Sequence, residues 1–332
     1  MKFKNLPKIE LHCHLDGCLR PKTVKELIVK ENLNLDLYDI NNIENELIVP
    51  DDCSSLNVYL KRFDIPVKVM QSKENLRRIA YELIEDVSKE NVKYIEIRFA
   101  PLLHKEKGLE IKEIIASVLM GLKEGEKDFG VKSNLILSIL RNMDIKTAYE
   151  VIESGKEFIG NGVVAVDLAG NEEKGFCKKF KDAFNLAREY GYKITIHAGE
   201  TGHSINVKEA IELLGAERIG HAVAIEKDIN IYNLVKEKEV ILEMCPKSNV
   251  QTKAVENYKK HPIKRFLEDN LLVNLSTDNR TVSNVTLTEE LNAVDENHIL
   301  SINDGKKIYT NSIKGAFCDK ETKEWLKTFI EC

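Results

Sequence analysis

Two histidines in the pattern His12-Cys13-His14 close the first apolar run of the chain. Further groups of the same chemical kind follow: His197-Ala198-Gly199-Glu200, His221, and Asp278 within Ser276-Thr277-Asp278-Asn279. Imidazoles with a carboxylate are ligands that a borderline divalent ion such as zinc accepts. In a strand, residues two apart point to the same side, so His12 and His14 face together and Cys13 faces away. Each group taken alone has a plainer reading. An HxH pair or a lone His221 can be packed core histidine, and Asp278 can cap a helix. Glu200 can sit at a helix N-terminus, stabilised by the dipole. Alternatively, Gly199 permits a sharp turn that swings the Glu200 carboxyl back over the strand end, where it can act as an acid.

What decides between these readings is the set of elements that carries the groups. Apolar, β-branched runs bounded by turn residues fall at Ile9–His14, Lys93–Phe99, Ser133–Leu140, Val163–Leu168, Lys193–His197, Arg218–His221, Val240–Met244 and Leu272–Ser276. Eight such runs, alternating with amphipathic stretches such as Lys178–Tyr190 and Val207–Leu214, predict an α/β fold, a (β/α)8 TIM-type barrel. The histidines, Glu200 and Asp278 then sit at the carboxyl ends of strands one, five, six and eight, which converge on one face. That convergence makes one catalytic metal site a better account than separate coincidences. The span 17–91 is too long for one crossover and predicts extra helices inserted after the first strand, over the mouth. Within it Leu56, Tyr59, Leu60 and Phe63 share a helical face, either packing on the barrel or covering a ligand. The tail Lys314–Cys332 reads as a terminal helix, with Ala316, Phe317, Trp325, Leu326 and Phe329 seeking cover.

Length and charge narrow the class. At 332 residues the chain fits one barrel domain over 1–332. A net charge of −5 without a clustered basic face excludes nucleic acid as the expected partner. Seven cysteines without a CxxC pair are not a disulfide framework and point to a reducing compartment. No long apolar run or leader-like start is present, so a soluble cytoplasmic enzyme without membrane attachment is expected.

Several stretches together resemble the adenosine deaminase family of the amidohydrolase superfamily. They are Leu6-Pro7-Lys8-Ile9-Glu10-Leu11-His12-Cys13-His14-Leu15-Asp16-Gly17, Asp167-Leu168-Ala169-Gly170-Asn171-Glu172, His197-Ala198-Gly199-Glu200 and Ser276-Thr277-Asp278, with Lys61-Arg62-Phe63 and Tyr94-Ile95-Glu96-Ile97-Arg98. The resemblance implies that His12, His14, His197 and Asp278 hold one Zn2+ and that Glu200 is the general acid. It implies that His221 orients the attacking water and helps deprotonate it. On the substrate side, Asp16 would hold a ribose hydroxyl, the Gly170 backbone would meet purine N3, and Leu60 and Phe63 would cover sugar and base, with His14 also facing the nucleoside. The family often has a second aspartate against purine N7; Asn279 stands there instead and would donate to N7 at any pH.

The implied reaction is hydrolytic deamination of adenosine, and of 2′-deoxyadenosine, to inosine and ammonia in purine salvage. The alternatives are a deaminase of a 5′-modified or futalosine-type nucleoside, a deaminase of adenine, and an inactive purine-binding protein. Binuclear relatives carry a modified lysine at the end of strand four, and Val163-Val164-Ala165-Val166-Asp167-Leu168 offers none, which favours one metal. The nucleic-acid deaminases need H-x-E with P-C-x-x-C, a pattern that Cys245-Pro246 does not meet. His104, His203, His261 and His298 carry no motif and are expected mostly at the surface, His203 excepted.

Overall fold

The computed structural model describes residues 2–34 and 39–330. Eight parallel strands form one sheet in sequence order: β1 Lys8–His14, β2 Val92–Phe99, β3 Lys132–Leu140, β4 Val163–Ala169, β5 Lys193–Ala198, β6 Arg218–His221, β7 Ile241–Met244 and β8 Leu272–Leu275. Every strand lies within two residues of the run that predicts it. Strands buried on both faces need continuous apolar sequence rather than alternation, and that makes such runs readable. The sheet closes where the chemistry lies. The His14 amide donates to the Asp278 carbonyl at 2.8 Å, and the Asp278 amide donates to the His12 carbonyl at 3.0 Å. This bridge beyond β8 joins it to β1 and makes the (β/α)8 barrel.

Helices surround the sheet. The crossover helix Lys73–Ser88 buries Leu76, Ile79, Ala80, Leu83, Ile84 and Val87, the spacing of one helical face. It packs on helix Ile111–Phe129, whose Gly121 and Gly125 permit the approach. A methyl at Gly121 would lie 2.1 Å from the Arg77 carbonyl, and one at Gly125 2.6 Å from Ile84 Cβ. The rest of the β1–β2 connection consists of Pro21–Lys30 and a series of short helices, among them Leu56–Leu60, Lys61–Phe63 and Asp64–Val69. The tail differs from one terminal helix. Helix Ile302–Gly315 stops at Ala316, and a new one, Lys320–Lys327, starts where Asp319 accepts from the Thr322 amide. The break lets Phe317 lie 3.9 Å beneath the buried Arg218 guanidinium, a contact that a continuous helix would forgo. Cys332 lies outside the described residues. Among the described residues, no helix is long and apolar enough to cross a membrane.

Candidate active site

The carboxyl ends of the strands enclose a cavity of about 310 Å³. His14, His197, Glu200, His221 and Asp278 line its floor, and Asp16, Gly170 and Asn279 its sides. Leu56, Tyr59, Leu60 and Phe63, from the connection after β1, line it as well. His12 lies buried just beneath.

Three residues at this face adopt backbone angles that L-residues avoid: His221 (φ 67°), Ala222 (φ 54°) and Asp278 (φ 63°). Such strain persists only where surrounding bonds enforce it, and it concentrates at functional sites. Here the Ala222 amide reaches the Ala198 and Gly220 carbonyls, and the Asp278 amide is held by β1.

Two carboxylates inside the barrel aim two of the rings. His12 Nδ1 donates to Glu243 at 2.7 Å and His197 Nδ1 donates to Asp167 at 2.9 Å. Each Nε2 lone pair is thereby left for the centre, the tautomer a metal ligand needs. Arg98 ties both carboxylates together, at 2.8 Å from Glu243 and 3.4 Å from Asp167. Ser248 donates to Asp278 Oδ2 at 2.6 Å, leaving Oδ1 3.3 Å from His12 Nε2 and 3.4 Å from His14 Nε2. Burial holds the His14, His197 and His221 rings below their ordinary pKa, hence neutral. His12 goes the other way: burial opposes its charge, but Asp278 and Glu243 together raise it.

The arrangement fits a divalent cation on two counts. His12 Nε2 is buried without a hydrogen-bond partner, because its 3.3 Å approach to Asp278 lacks bonding geometry. Beneath the rings, the buried carboxyls of Asp167, Glu243, Glu96 and Asp278 outnumber the guanidiniums near them, Arg98, Arg218 and, attracted to Asp167, Arg141. A cation among the rings offsets that excess, and a buried charge that stays uncompensated is costly. Ligand atoms of His12, His197, His221 and Asp278 lie within 4.8 Å of one another. His14 Nε2 is 3.1 Å from His197 Nε2, which gives five candidates for the four protein positions around an ion.

Glu200 stands apart from the ligands. Gly199 takes φ 76°, the turn its position predicts. Glu172 then pins that turn by accepting from the Gly199 amide at 2.7 Å and the Thr201 amide at 2.8 Å. Burial pushes the Glu200 carboxyl up to about 8, with Asp278 and Glu172 adding to the effect. It is therefore a protonated acid at neutral pH, 3.8 Å from His221 Nε2. Asp16 is likewise pushed up to about 7, chiefly by burial, and its Oδ1 has no partner.

Asn279 is less free than its position in the sequence indicates. Its Nδ2 donates to Tyr59 Oη at 2.9 Å, and its Oδ1 sits where a methyl on Gly17 would collide, at 2.0 Å. One amide hydrogen remains for a ligand.

Two of the four unassigned histidines are not at the surface. His104 is fully buried and stacks on Phe99 with ring centroids 5.6 Å apart, and His261 is buried against Asn249. His203 and His298 are half-buried. Sequence reasoning also gave no role to Asp167, Glu172, Glu243, Ser248 or Asn249. The stretch Cys245-Pro246-Lys247-Ser248-Asn249, directly after β7, was the available signal, because it holds polar residues at a strand's carboxyl end.

Comparison with known proteins agrees with this geometry. The adenosine deaminase family model matches residues 7–331. An adenosine deaminase of Clostridium perfringens is 58% identical over 330 residues, 99% of each chain. The fold matches an adenine deaminase structure from Arthrobacter aurescens, with TM-score 0.90, 24% identity and 98% of both chains covered. It also matches an amidohydrolase of Burkholderia ambifaria solved with bound Zn, with TM-score 0.89 and 25% identity over 99% of this chain and 90% of that one. A barrel whose strand ends gather histidines, an aspartate and a protonated glutamate, matched end to end at this identity, leaves one conclusion: the chain belongs to the adenosine deaminase family.

Proposed function

We infer that this protein hydrolyses adenosine, and 2′-deoxyadenosine, to the 6-oxo nucleoside and ammonia, with one zinc ion held by His12, His14, His197 and Asp278. The observation that carries the reading is Glu200, a carboxylic acid kept protonated beside a histidine and aspartate cluster in the cavity at the strand ends. A divalent ion, when bound, supplies Lewis acidity that brings the pKa of a water to about 7. Addition of water at C6 breaks the purine's aromaticity and places charge on N1. Glu200 delivers its proton there as the C–O bond forms, so no anion builds up on the ring. His221 faces the attacking oxygen. The Gly170 backbone, at φ 95°, is left for purine N3, and the second Asn279 amide hydrogen for N7. Leu56, Leu60 and Phe63 cover base and sugar. Of the water's two protons, one passes to the leaving amine and one restores Glu200, so ammonia departs and the 6-oxo ring keeps the hydrogen on N1.

Asp16 sets the other end of the substrate. A carboxyl held for a ribose hydroxyl would face any 5′ phosphate, a repulsion of roughly 1 to 4 kcal/mol per charge pair depending on screening. AMP is therefore expected to be turned over far more slowly than adenosine. The test is ammonia release from adenosine, 2′-deoxyadenosine, adenine, AMP and 5′-modified adenosines, with metal content measured on the same preparation. The reading requires adenosine and its deoxy form to lead and one ion per chain. Adenine or AMP leading, or two ions per chain, would overturn it.

A further inference from the structure

His221 is reached from behind by a chain of hydrogen bonds that begins at the protein backbone. The Ile263 amide, at the start of helix Ile263–Glu268, approaches His261 Nδ1 at 3.3 Å. His261 Nε2 lies 3.1 Å from Asn249 Oδ1, and Asn249 Nδ2 lies 3.0 Å from His221 Nδ1. Asn249 is fully buried and His261 nearly so.

The direction of every bond follows from the first. A backbone N–H can only donate, so His261 Nδ1 accepts. Burial holds the His261 ring down to about 3, which keeps it neutral and leaves its one hydrogen on Nε2. That hydrogen must be donated, so the Asn249 atom facing it is the carbonyl oxygen and the one facing His221 is the amide nitrogen. An amide nitrogen also only donates, which makes His221 Nδ1 the acceptor.

We propose that Asn249 and His261 are positioning residues that set the tautomer of His221, keeping its hydrogen on Nε2, the nitrogen that faces the substrate cavity. The relay sets which nitrogen holds the hydrogen, not how readily the ring ionises. His12 and His197 are arranged in the opposite sense: their Nδ1 atoms donate to Glu243 and Asp167, so their Nε2 lone pairs point inward. A metal needs the lone pair, and His221 does not present one. The relay therefore excludes His221 from the five candidate ligands and leaves His14 with His12, His197 and Asp278. It also makes His221 a hydrogen-bond donor toward the attacking oxygen, which orients that oxygen against C6. This last consequence rests on the deaminase reading.

The test reads the tautomer directly. Long-range 1H–15N correlation on 15N-histidine-labelled protein, assigned with single His→Gln variants, distinguishes a ring protonated at Nε2 from one protonated at Nδ1. The spectrum is taken without substrate, so its outcome stands apart from the identity of the substrate. The expected result is Nε2–H for His221 and Nδ1–H for His12 and His197. Asn249→Asp replaces the donor with an acceptor of the same shape, so His221 should convert to Nδ1–H. Its kcat should fall about 10- to 100-fold with KM little changed and metal content intact, the usual scale for groups that orient a site residue. Wild-type His221 found as Nδ1–H overturns the proposal, and that measurement needs no variant to fold. A converted Asn249→Asp protein that keeps its kcat overturns the orienting role.

Discussion

Surroundings, rather than residue type, divide the labour among the site's carboxyls. Asp278 resists burial because His12, His221 and His14 crowd it, and it stays ionised well below the usual carboxylate range. Glu200 has no such company and is pushed up to about 8, first by burial and then by Asp278 and Glu172. One carboxyl therefore serves as a ligand and the other as an acid. Replacing Glu200 by Gln keeps the shape and the hydrogen-bond donor but removes the transferable proton. Turnover should drop by at least about 10²-fold with the metal retained, the scale of lost general acid catalysis. The pH dependence follows from the same shift. Only the protonated form can deliver to N1, and its fraction falls as pH rises through about 8, so wild-type kcat should decline on that side. A pH–rate profile flat to pH 9.5, or near-normal kcat in Glu200→Gln, would remove Glu200 from the role of acid.

Among the elements, the covering helix Leu56–Leu60 is only five residues long, too short to hold its place by itself. Its anchor is Tyr59, buried, whose hydroxyl meets Ser283 at 2.6 Å and accepts from Asn279 at 2.9 Å. Both partners follow β8, so the cover is tied to the segment that carries Asp278. Tyr59→Phe should leave the Asn279 amide unpaired and loosen the cover, costing about 0.5 to 1.5 kcal/mol, or roughly 2- to 10-fold in kcat/KM. Unchanged kcat/KM for adenosine in that variant would mean the tie is not used. The covering face itself was legible in the sequence because Leu56, Tyr59, Leu60 and Phe63 repeat at helical spacing. So were the eight strands, as runs buried on both sides. The tie to Asn279 was not, and neither was the path from His261 through Asn249 to His221. These bonds join residues 220, 12 and 28 positions apart in different elements, and no local pattern encodes such a pairing. For the same reason His104 and His261 read as surface residues: a histidine's burial depends on what folds over it, and a neutral imidazole is readily buried.

Taken as a whole molecule, one apolar cluster runs from Phe3 to Ile308 and includes side chains from the strands, the crossover helices and the connection after β1. We propose on this ground that residues 1–332 unfold as a single unit, with the 17–91 segment having no independent core. The charge inside the barrel makes that unit depend on its cation. With no ion bound, the buried carboxyls of Asp167, Glu243, Glu96 and Asp278 outnumber the guanidiniums near them, Arg98, Arg218 and Arg141. A ligand that binds only the folded state, at 100 to 1,000 times its Kd, stabilises by about 2.7 to 4.1 kcal/mol. At about 2 °C per kcal/mol for a long chain, chelation should lower Tm by roughly 5 to 8 °C. Because the excess negative charge sits on the barrel axis and not in a peripheral segment, the whole transition should shift without splitting. Readdition of Zn2+ should restore it. Differential scanning calorimetry before chelation, after it and after zinc is returned decides both points. Two separated transitions in any of the three scans would overturn the single unit. An unchanged Tm in protein shown to be metal-free would mean that the buried carboxylates are balanced by protons instead of a cation, and the charge argument for a divalent ion would fall with it.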